Sequence, residues 1–206
     1  MEIRERTKTH RSEITDGVLA KRCLEGDQQA FELLVQRYSG SLFNFICRFL
    51  GDYDAACDIL QQVMLQLYIS LPKLQTGIPL KAWLFQVARN RCLDELRRKR
   101  VLHFSELEKG TDEDEQSVLT TMPDLSPLPE EVAERHDLQQ IMLRAIQALP
   151  PKFRAVVLLR YASQLSYSEI GKVLNMPEAT AKTYFQRVKP LLRNALASEL
   201  QVVPAR

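Results

Sequence analysis

The stretch SYSEIGKVLNMPEATAKTYFQRVKPLLR, residues 166–193, predicts two helices separated by a tight turn. Ser166 or Ser168 can cap the first, short helix, because a serine hydroxyl accepts a hydrogen bond from a free N–H of the first turn. Asn175 follows the last apolar residue of that helix, and asparagine tolerates the left-handed conformation that ends helices. Pro177 suits the first turn of the second helix, where its missing N–H costs nothing. The pattern is that of a helix-turn-helix.

The second helix of this motif has an apolar face at i, i+4, i+7 and i+11, formed by Ala181, Phe185, Val188 and Leu192. The rest of its surface carries polar side chains that can reach phosphates or base edges in a major groove: Thr180, Lys182, Thr183, Gln186, Arg187 and Lys189. The alternative interpretation is an ordinary helical hairpin with a solvated basic face. Pro190 lies inside the helix and predicts a bend near residues 186–189.

Composition places the chain among globular proteins that can bury a core. Its 206 residues fit one or two domains, and its formal net charge is only +2. No stretch is apolar enough to span a membrane, and the N-terminus is charged from Glu2 onward, so we expect a cytoplasmic protein without a secretory signal. The four cysteines have no Cys-x-x-Cys spacing, which argues against zinc and indicates reduced structural thiols, with a redox-sensing thiol as the alternative: Cys23, Cys47, Cys57 and Cys92.

Helical periodicity runs through the first half of the chain, and no segment shows the two-residue alternation of an amphipathic strand. Asp27 is a candidate helix cap, and Gly40 is a candidate interruption of the helix that follows. The predicted helices cover about residues 16–25, 27–50, 53–71 and 80–100.

The fourth helix carries a second group of candidate functional residues, within WLFQVARNRCLDELRRKR, residues 83–100. Trp83, Asn90, Asp94 and Arg97 fall at i, i+7, i+11 and i+14, which places an aromatic ring, an amide and a guanidinium on one line. An aromatic ring beside groups that bind phosphate suits opened or single-stranded DNA. The alternative is that the tryptophan belongs to the core and that the arginines form a solvated helix end favoured by the helix dipole.

Beyond Arg100 the composition changes sharply. Residues 105–131 contain nine acidic side chains against one lysine, together with three prolines, which argues against a stable helix and predicts a flexible linker. The acidic run is either simply solvated or lies in a basic channel as a mimic of nucleic acid. We therefore predict an all-α protein whose second domain has four helices, organised as a mobile arm 1–15, a first domain 16–100, an acidic linker 101–130, a second domain 131–198 and a tail 199–206.

Four further motifs precede the helix-turn-helix in the chain, in this order: GDQQAFELLVQRY (26–38), DAACDILQQVM (54–64), AWLFQVARNRCLDELRR (82–98) and ALPPKFRAVVLLRY (148–161). With the acidic linker between the last two, the chain resembles an extracytoplasmic-function (ECF) sigma factor, a bacterial RNA polymerase sigma subunit. The resemblance covers about residues 16–198.

The resemblance implies that the first domain binds the clamp of core RNA polymerase and captures unstacked bases of the promoter −10 element, and that the second reads the −35 element as duplex. Asp58 and Gln61 match the clamp-binding helix of the family. The melting helix is matched by Trp83, Asn90, Asp94 and Arg97, and the −35-reading helix by Thr180, Lys182 and Arg187, with Thr183 and Gln186 beside them. Expected partners are core polymerase and promoter DNA, with an anti-sigma factor as a further candidate. No cofactor, metal or enzymatic activity is implied.

Several positions depart from the family pattern. The clamp motif usually has acidic residues where Cys57 and Gln62 stand and an aromatic residue at Met64, so we expect a differently tuned polymerase contact. In the recognition helix Ala181, Thr183 and Tyr184 replace the usual valine, serine and arginine, and the loss of that arginine is expected to remove a DNA contact. The competing interpretation is a stand-alone helix-turn-helix regulator. An enzyme would need a nucleophile–base pair or a metal cluster, and the three histidines lie in the arm, the linker and the linker edge: His10, His103 and His136.

Overall fold

A computed structural model describes residues 14–73, 79–107 and 130–202, and its regular structure in these residues is helical throughout. A single 3-10 turn, Leu71–Lys73, follows the third helix. The α-helices are α1 (Asp16–Leu24), α2 (Gln28–Leu50), α3 (Tyr53–Ser70), α4 (Leu80–Leu107), α5 (Glu130–Gln147), α6 (Pro151–Tyr161), α7 (Tyr167–Leu174) and α8 (Glu178–Val202). The prediction of an all-α fold with a four-helix second domain is confirmed.

Aspartate caps set the starts of the two long helices of the first domain. The carboxylate of Asp27 accepts a hydrogen bond from the backbone N–H of Ala30, and Asp52 does the same for Ala55 at the start of α3. Gly51 ends α2 in the left-handed conformation, with φ of 76°, which glycine adopts without strain. The first domain is therefore divided into helices where the sequence predicted the divisions.

The core of the first domain forms between α2, α3 and α4. Phe45 stacks edge-on against Phe85 with ring centroids 5.5 Å apart, and Phe49 lies 5.7 Å from Phe45. All three rings are fully buried, and so are Leu84, Ala88 and Cys92 on one line of α4, whereas Leu96 on the same line is half-buried. Burial of such rings is worth about 1.5–3 kcal/mol each, so this cluster fixes α4 on the domain.

The second domain encloses the helix-turn-helix. Ile146 at the end of α5, Leu149, the buried run Ala155–Leu159 of α6 and the inner faces of α7 and α8 share one apolar core. The predicted inward face of α8 is confirmed, since Ala181, Phe185 and Val188 are buried and Leu192 is half-buried against the same core. The remaining side chains of α8 are thereby left at the surface.

The two domains are packed against each other, which the sequence did not predict. The C-terminal half of α2 contacts α5 and α6, and α4 contacts α7. Arg154 of α6 donates a hydrogen bond across this boundary to the backbone carbonyl of Phe49, at 2.6 Å. Buried residues of both domains consequently belong to one continuous apolar cluster.

Three details differ from the sequence-based expectations. α4 continues to Leu107, seven residues beyond the predicted end at Arg100, and α5 begins at Glu130, so part of the predicted linker is helical. Gly40 does not interrupt α2, because a single glycine costs a helix only about 1 kcal/mol and the flanking turns are anchored in the core. α8 continues through Pro190, and the bend predicted near residues 186–189 stays a prediction.

The N-terminal arm before residue 14, the centre of the linker and the last four residues lie outside the described part of the chain, as do residues 74–78 between the 3-10 turn and α4. The side chains of the three histidines, His10, His103 and His136, also lie outside it. Within the described residues, no helix has the length and apolar character needed to cross a bilayer.

Candidate nucleic-acid interface

The turn of the helix-turn-helix is fixed by local hydrogen bonds. Ser166, not Ser168, caps α7: its hydroxyl accepts from the N–H of Glu169, and the Glu169 carboxylate accepts from the N–H of Ser166 at 2.8 Å, which completes a capping box. Asn175 ends α7 with φ of 52°, in the predicted left-handed conformation. Pro177 precedes α8 by one residue, and its carbonyl accepts the first hydrogen bonds of that helix.

Gly171 allows α7 and the turn to approach each other closely. A methyl group at this position would lie 2.6 Å from the backbone oxygen of Met176, well inside van der Waals contact. The N–H of Met176 also donates to the carbonyl of Gly171 at 2.9 Å. The angle between the two helices of the motif therefore depends on the absence of a side chain at Gly171.

Four of the five residues predicted to read the −35 element are exposed on α8. Lys182, Thr183, Gln186 and Arg187 are exposed, and Thr180 is half-buried at the start of the helix. The hydroxyl of Thr183 donates to the carbonyl of Ala179 at 2.9 Å, so one of its hydrogen-bonding directions is already used within the helix. Two cations and an amide thus remain at the surface of one helix, which is the chemistry that reads a major groove.

Tyr184 occupies a different environment from its neighbours in α8. It is half-buried, and its ring packs against Phe153 of α6 with centroids 5.6 Å apart. Lys189 lies over the ring of Phe185 at 5.5 Å. Tyr184, which stands where the resemblance led us to expect arginine, takes part here in aromatic packing within the second domain.

The four residues of α4 predicted to bind the −10 element differ in burial. Asn90, Asp94 and Arg97 are exposed, whereas Trp83 is half-buried and packs against the core cluster. Asp94 accepts from Arg97 at 3.2 Å, and the Asn90 side-chain oxygen accepts from Arg89 at 3.1 Å. Three of the four side chains lie together at the surface, about 10 Å from end to end along the helix, and the fourth is half-buried.

The basic end of α4 is tied to acidic neighbours. Arg98 forms a bidentate pair with Glu95, and Lys99 reaches Asp52 at 2.6 Å, across to the start of α3. The Lys99 ammonium is the main reason that the pKa of Asp52 is lowered. Burial lowers the pKa of Arg89, and the nearby charge of Arg97 lowers it further. Acidic side chains of the first domain therefore hold the cations Arg98 and Lys99 in place at this end of α4.

Asp58 and Gln61 are both exposed on α3, on the face predicted to contact polymerase. Sequence reasoning missed the apolar residues that continue this face: Leu65, Tyr68 and Ile69 are 60%, 63% and 59% exposed. These residues lie four, seven and eight positions after Gln61, a spacing that places them on the same face of α3 and could have been recognised in the sequence. The buried residues of α3 lie on a different line of the helix: Ala56, Ile59, Val63 and Leu67.

The cysteines have a structural environment. All four are free, and within the described residues no group of three or more His, Cys, Asp or Glu side chains is arranged to hold a metal ion. Burial raises the pKa of the thiols of Cys92, Cys23 and Cys47, most strongly for Cys92, so little thiolate is present at neutral pH. The chemistry of the site therefore lies in its exposed cations and amides.

The fold and these surfaces define a two-domain helical DNA-binding protein. Residues 34–101 match the family described as Sigma-70 region 2, and residues 139–190 match Sigma-70, region 4. The ECF RNA polymerase sigma factor SigW of Bacillus subtilis is 30% identical over 176 residues, covering 85% of this chain and 94% of the relative. The ECF RNA polymerase sigma-E factor of Escherichia coli is 28% identical over 183 residues, covering 88% and 94%. The chain belongs to the ECF family of RNA polymerase sigma factors.

Two solved structures share the fold. CnrH in complex with the cytosolic domain of CnrY superimposes with a TM-score of 0.64 at 20% identity, covering 89% of this chain and 97% of that one. The sigma factor RpoE in complex with the anti-sigma factor NepR, from Bartonella quintana, gives 0.60 at 23% identity, covering 84% and 97%. The interpretation as a sigma factor that works with RNA polymerase and promoter DNA is confirmed, and a stand-alone regulator is not favoured.

Proposed function

We propose that three exposed surfaces divide the work of transcription initiation in this chain. The α3 face binds core polymerase, the exposed line of α4 holds unpaired bases of the −10 element, and α8 reads the −35 element as duplex. This proposal is supported mainly by the exposure of seven predicted DNA-binding side chains, three on α4 and four on α8, in a chain that matches both Sigma-70 regions: Asn90, Asp94, Arg97, Lys182, Thr183, Gln186 and Arg187.

The polymerase surface combines charge with apolar area. Asp58 and Gln61 supply a carboxylate and an amide, and Leu65 extends the same face by one helical turn. Exposed apolar side chains beside polar groups are typical of the centre of a protein–protein interface. This combination supports α3 as the site of contact with core polymerase.

The α4 surface suits unpaired bases because its polar groups are arranged before DNA arrives. Arg97 is held by Asp94 and is 77% exposed, so it can exchange that weak pair for a phosphate. Asn90 offers amide donors to a base edge. Melting removes bases from the stack at a few kcal/mol each, and contacts available only to unpaired bases offset that cost.

The α8 surface suits a major groove. Lys182 and Arg187 lie five residues apart, so they contact different parts of a duplex: one is suited to a phosphate and the other to a guanine edge, which arginine binds through two hydrogen bonds. The neighbouring amide of Gln186 can recognise adenine. Half of the contacts are expected to be to phosphates, which gives binding a strong salt dependence.

The domain bounds, the cellular location and a regulatory partner follow from the family and from the bounds of the helices. We propose that the first domain comprises residues 16–107 and the second residues 130–198, and that the protein acts in the bacterial cytoplasm as a binding subunit, with polymerase supplying the chemistry. Because a solved structure of this fold contains an anti-sigma factor, we propose that such a protein also regulates this chain.

Reconstitution with purified core polymerase tests this function. Asp58→Ala combined with Gln61→Ala should weaken core binding at least tenfold, because it removes two polar contacts from one interface, while affinity for a −35 duplex stays unchanged. The matched control is Gln36→Ala with Asn44→Ala, two polar residues exposed on α2. Wild-type core affinity in a folded Asp58/Gln61 variant would exclude this face, and failure of the wild-type chain to direct promoter-specific transcription would refute the proposed function.

A further inference from the structure

The helices α2 and α3 form an antiparallel hairpin joined by a two-residue turn. Far from the turn, Phe31 of α2 packs edge-on against Tyr68 of α3, with ring centroids 5.4 Å apart. Nearer to it, Phe43 packs in the same way against Tyr53 at 5.3 Å. The two helices are therefore in contact along most of α3, which carries the proposed polymerase face.

Each helix of this hairpin carries a cysteine at nearly the same distance from the turn. Cys47 lies four residues before the first residue of the turn and Cys57 five residues after the second, so they are about 6 and 7.5 Å from the turn along their helices. Each directly follows a core residue, Ile46 in α2 and Ala56 in α3. Consecutive helical residues are turned by about 100° and the helices are antiparallel, so both cysteines point to the same outer side of the hairpin.

The properties of the two thiols agree with this arrangement. Both are free and half-buried. Burial is the largest cause of the raised pKa of the Cys47 thiol, and the Cys57 thiol raises this pKa further, although Arg48 acts in the opposite direction. An electrostatic effect of one thiol on the other requires that they lie close together, because the interaction decreases with distance.

Helices in contact offer the separation that a disulfide needs. The bond requires Cα atoms about 4.4–6.8 Å apart. Axes of packed helices are about 8–10 Å apart, and each Cα lies about 2.3 Å from its axis, so Cα atoms at the boundary are separated by distances of this size. A bond between the two cysteines closes a short loop around the turn.

We propose that Cys47 and Cys57 form a reversible disulfide on exposure to a peroxide, and that this bond weakens the binding of core polymerase through α3. Cys57 directly precedes Asp58 and lies one helical turn before Gln61, so a bond to α2 displaces the start of the proposed polymerase face. This inference rests on the proposed function, because it concerns the regulation of the proposed polymerase site.

The reaction needs a peroxide as the oxidant and no further reagent. Because burial makes Cys47 a weaker acid than an ordinary thiol, we assign the first attack to Cys57. Its thiolate attacks a peroxide oxygen, the O–O bond breaks, Cys57 becomes a sulfenic acid, and the released hydroxide takes up the proton that Cys57 had lost. The Cys47 sulfur then attacks the Cys57 sulfur, the S–O bond breaks, and hydroxide leaves as a second water with the Cys47 proton. Two thiols thus lose two electrons to one molecule of hydrogen peroxide.

The position of the bond on the outer side of the hairpin suits a reversible change. Disulfides that are accessible or strained are the ones most easily reduced. In a reducing compartment such bonds are transient and sense oxidants, whereas lasting structural disulfides are rare. A thiol reductant should therefore restore the open hairpin.

Peptide mapping of the full-length chain tests whether the bond forms. Trypsin cleaves after Arg48 and separates the two cysteines into peptides 38–48 and 49–73, which then stay joined only by a disulfide. After treatment with hydrogen peroxide and removal of the excess with catalase, we expect the joined pair and the loss of two free thiols. Dithiothreitol should reverse both changes.

Affinity for purified core polymerase tests the consequence. The oxidised chain should bind core roughly tenfold more weakly than the reduced chain, the change expected when polar contacts of one interface are displaced, and dithiothreitol should restore the affinity. Cys47→Ser keeps Cys57 but cannot close the hairpin, so peroxide should leave its core affinity unchanged. The matched control Cys23→Ser, on α1, should respond to peroxide as wild type does. Affinity for a −35 duplex should stay constant in every sample, since the second domain contains no cysteine.

Absence of the joined peptides overturns the inference, and so does an unchanged core affinity of the linked chain. Loss of affinity in peroxide-treated Cys47→Ser also overturns it, because oxidation of Cys57 alone would then be responsible. Circular dichroism of the reduced proteins checks folding, and Cys47→Ala replaces the serine variant if that variant is unfolded. If the reduced wild-type chain does not bind core polymerase, the proposed function fails, and that result is distinct from a failure of the disulfide.

Discussion

Replacing Gly171 with alanine should separate local helix preference from tertiary packing. Alanine is the better helix former by about 0.5–1 kcal/mol, so sequence preference alone predicts stabilisation. The structure predicts the opposite, because the new methyl group would lie 2.6 Å from the oxygen of Met176 and 3.4 Å from the backbone nitrogen of Glu178.

The magnitude follows from the size of this overlap. Ordinary contact begins at 3.4 Å, so the turn must move by about 0.8 Å, and the obstructing atom belongs to backbone held by the hydrogen bond from Met176 to Gly171. Overpacking of this kind costs about 1–3 kcal/mol. After subtraction of the helix preference, we expect a net loss of about 1–2 kcal/mol in the free energy of unfolding, and weaker −35 binding because the start of α8 is displaced.

The control is Gly40→Ala, at an exposed position inside α2 where an added methyl group meets nothing within 4 Å. It should raise the free energy of unfolding by about 0.5–1 kcal/mol. Urea unfolding followed by circular dichroism, together with fluorescence anisotropy on a −35 duplex, measures both variants. A Gly171→Ala protein as stable as wild type, with unchanged duplex affinity, would refute the argument from close approach.

Two further predictions concern DNA. Asn90→Ala with Arg97→Ala should leave −35 binding and stability nearly unchanged, because the side chains are exposed, and should reduce open-complex formation about 10- to 100-fold through the loss of charged contacts. Permanganate reactivity of unpaired thymines measures open-complex formation, and a premelted bubble template should restore transcription. Equal melting by the variant and the wild type would show that these side chains form only a solvated helix face. Lys182→Ala should weaken binding to all −35 sequences alike and reduce the salt slope by about 1. Arg187→Ala should cost about 1–3 kcal/mol and relax specificity at one position, whereas footprints identical to wild type for both variants would exclude α8 as the reading helix.

Local features of the sequence determined the helices and most of the candidate sites. The caps at Asp27 and Ser166 and the left-handed Asn175 involve partners within a few residues, so a single stretch of sequence carries the signal. The exposed face of α8 follows in the same way from the 3.6-residue period. At Gly40, where the local signal was weak, α2 continues because its flanking turns are anchored in the core. α4 also continues beyond the predicted end at Arg100, as far as Leu107.

Only the tertiary structure decided how the two domains meet and what this covers. Arg154 and its carbonyl partner at Phe49 are 105 residues apart, and a backbone carbonyl leaves no residue-specific signal in a sequence. The packing of Tyr184 on Phe153 and the covering of Trp83 likewise depend on which helices become neighbours. Periodicity gives the face of a helix on which a residue lies, but burial on a second face is imposed by elements distant in the chain. The sequence therefore predicts the line of α4 on which Trp83 lies, whereas its half-burial against the core cluster follows from the tertiary packing.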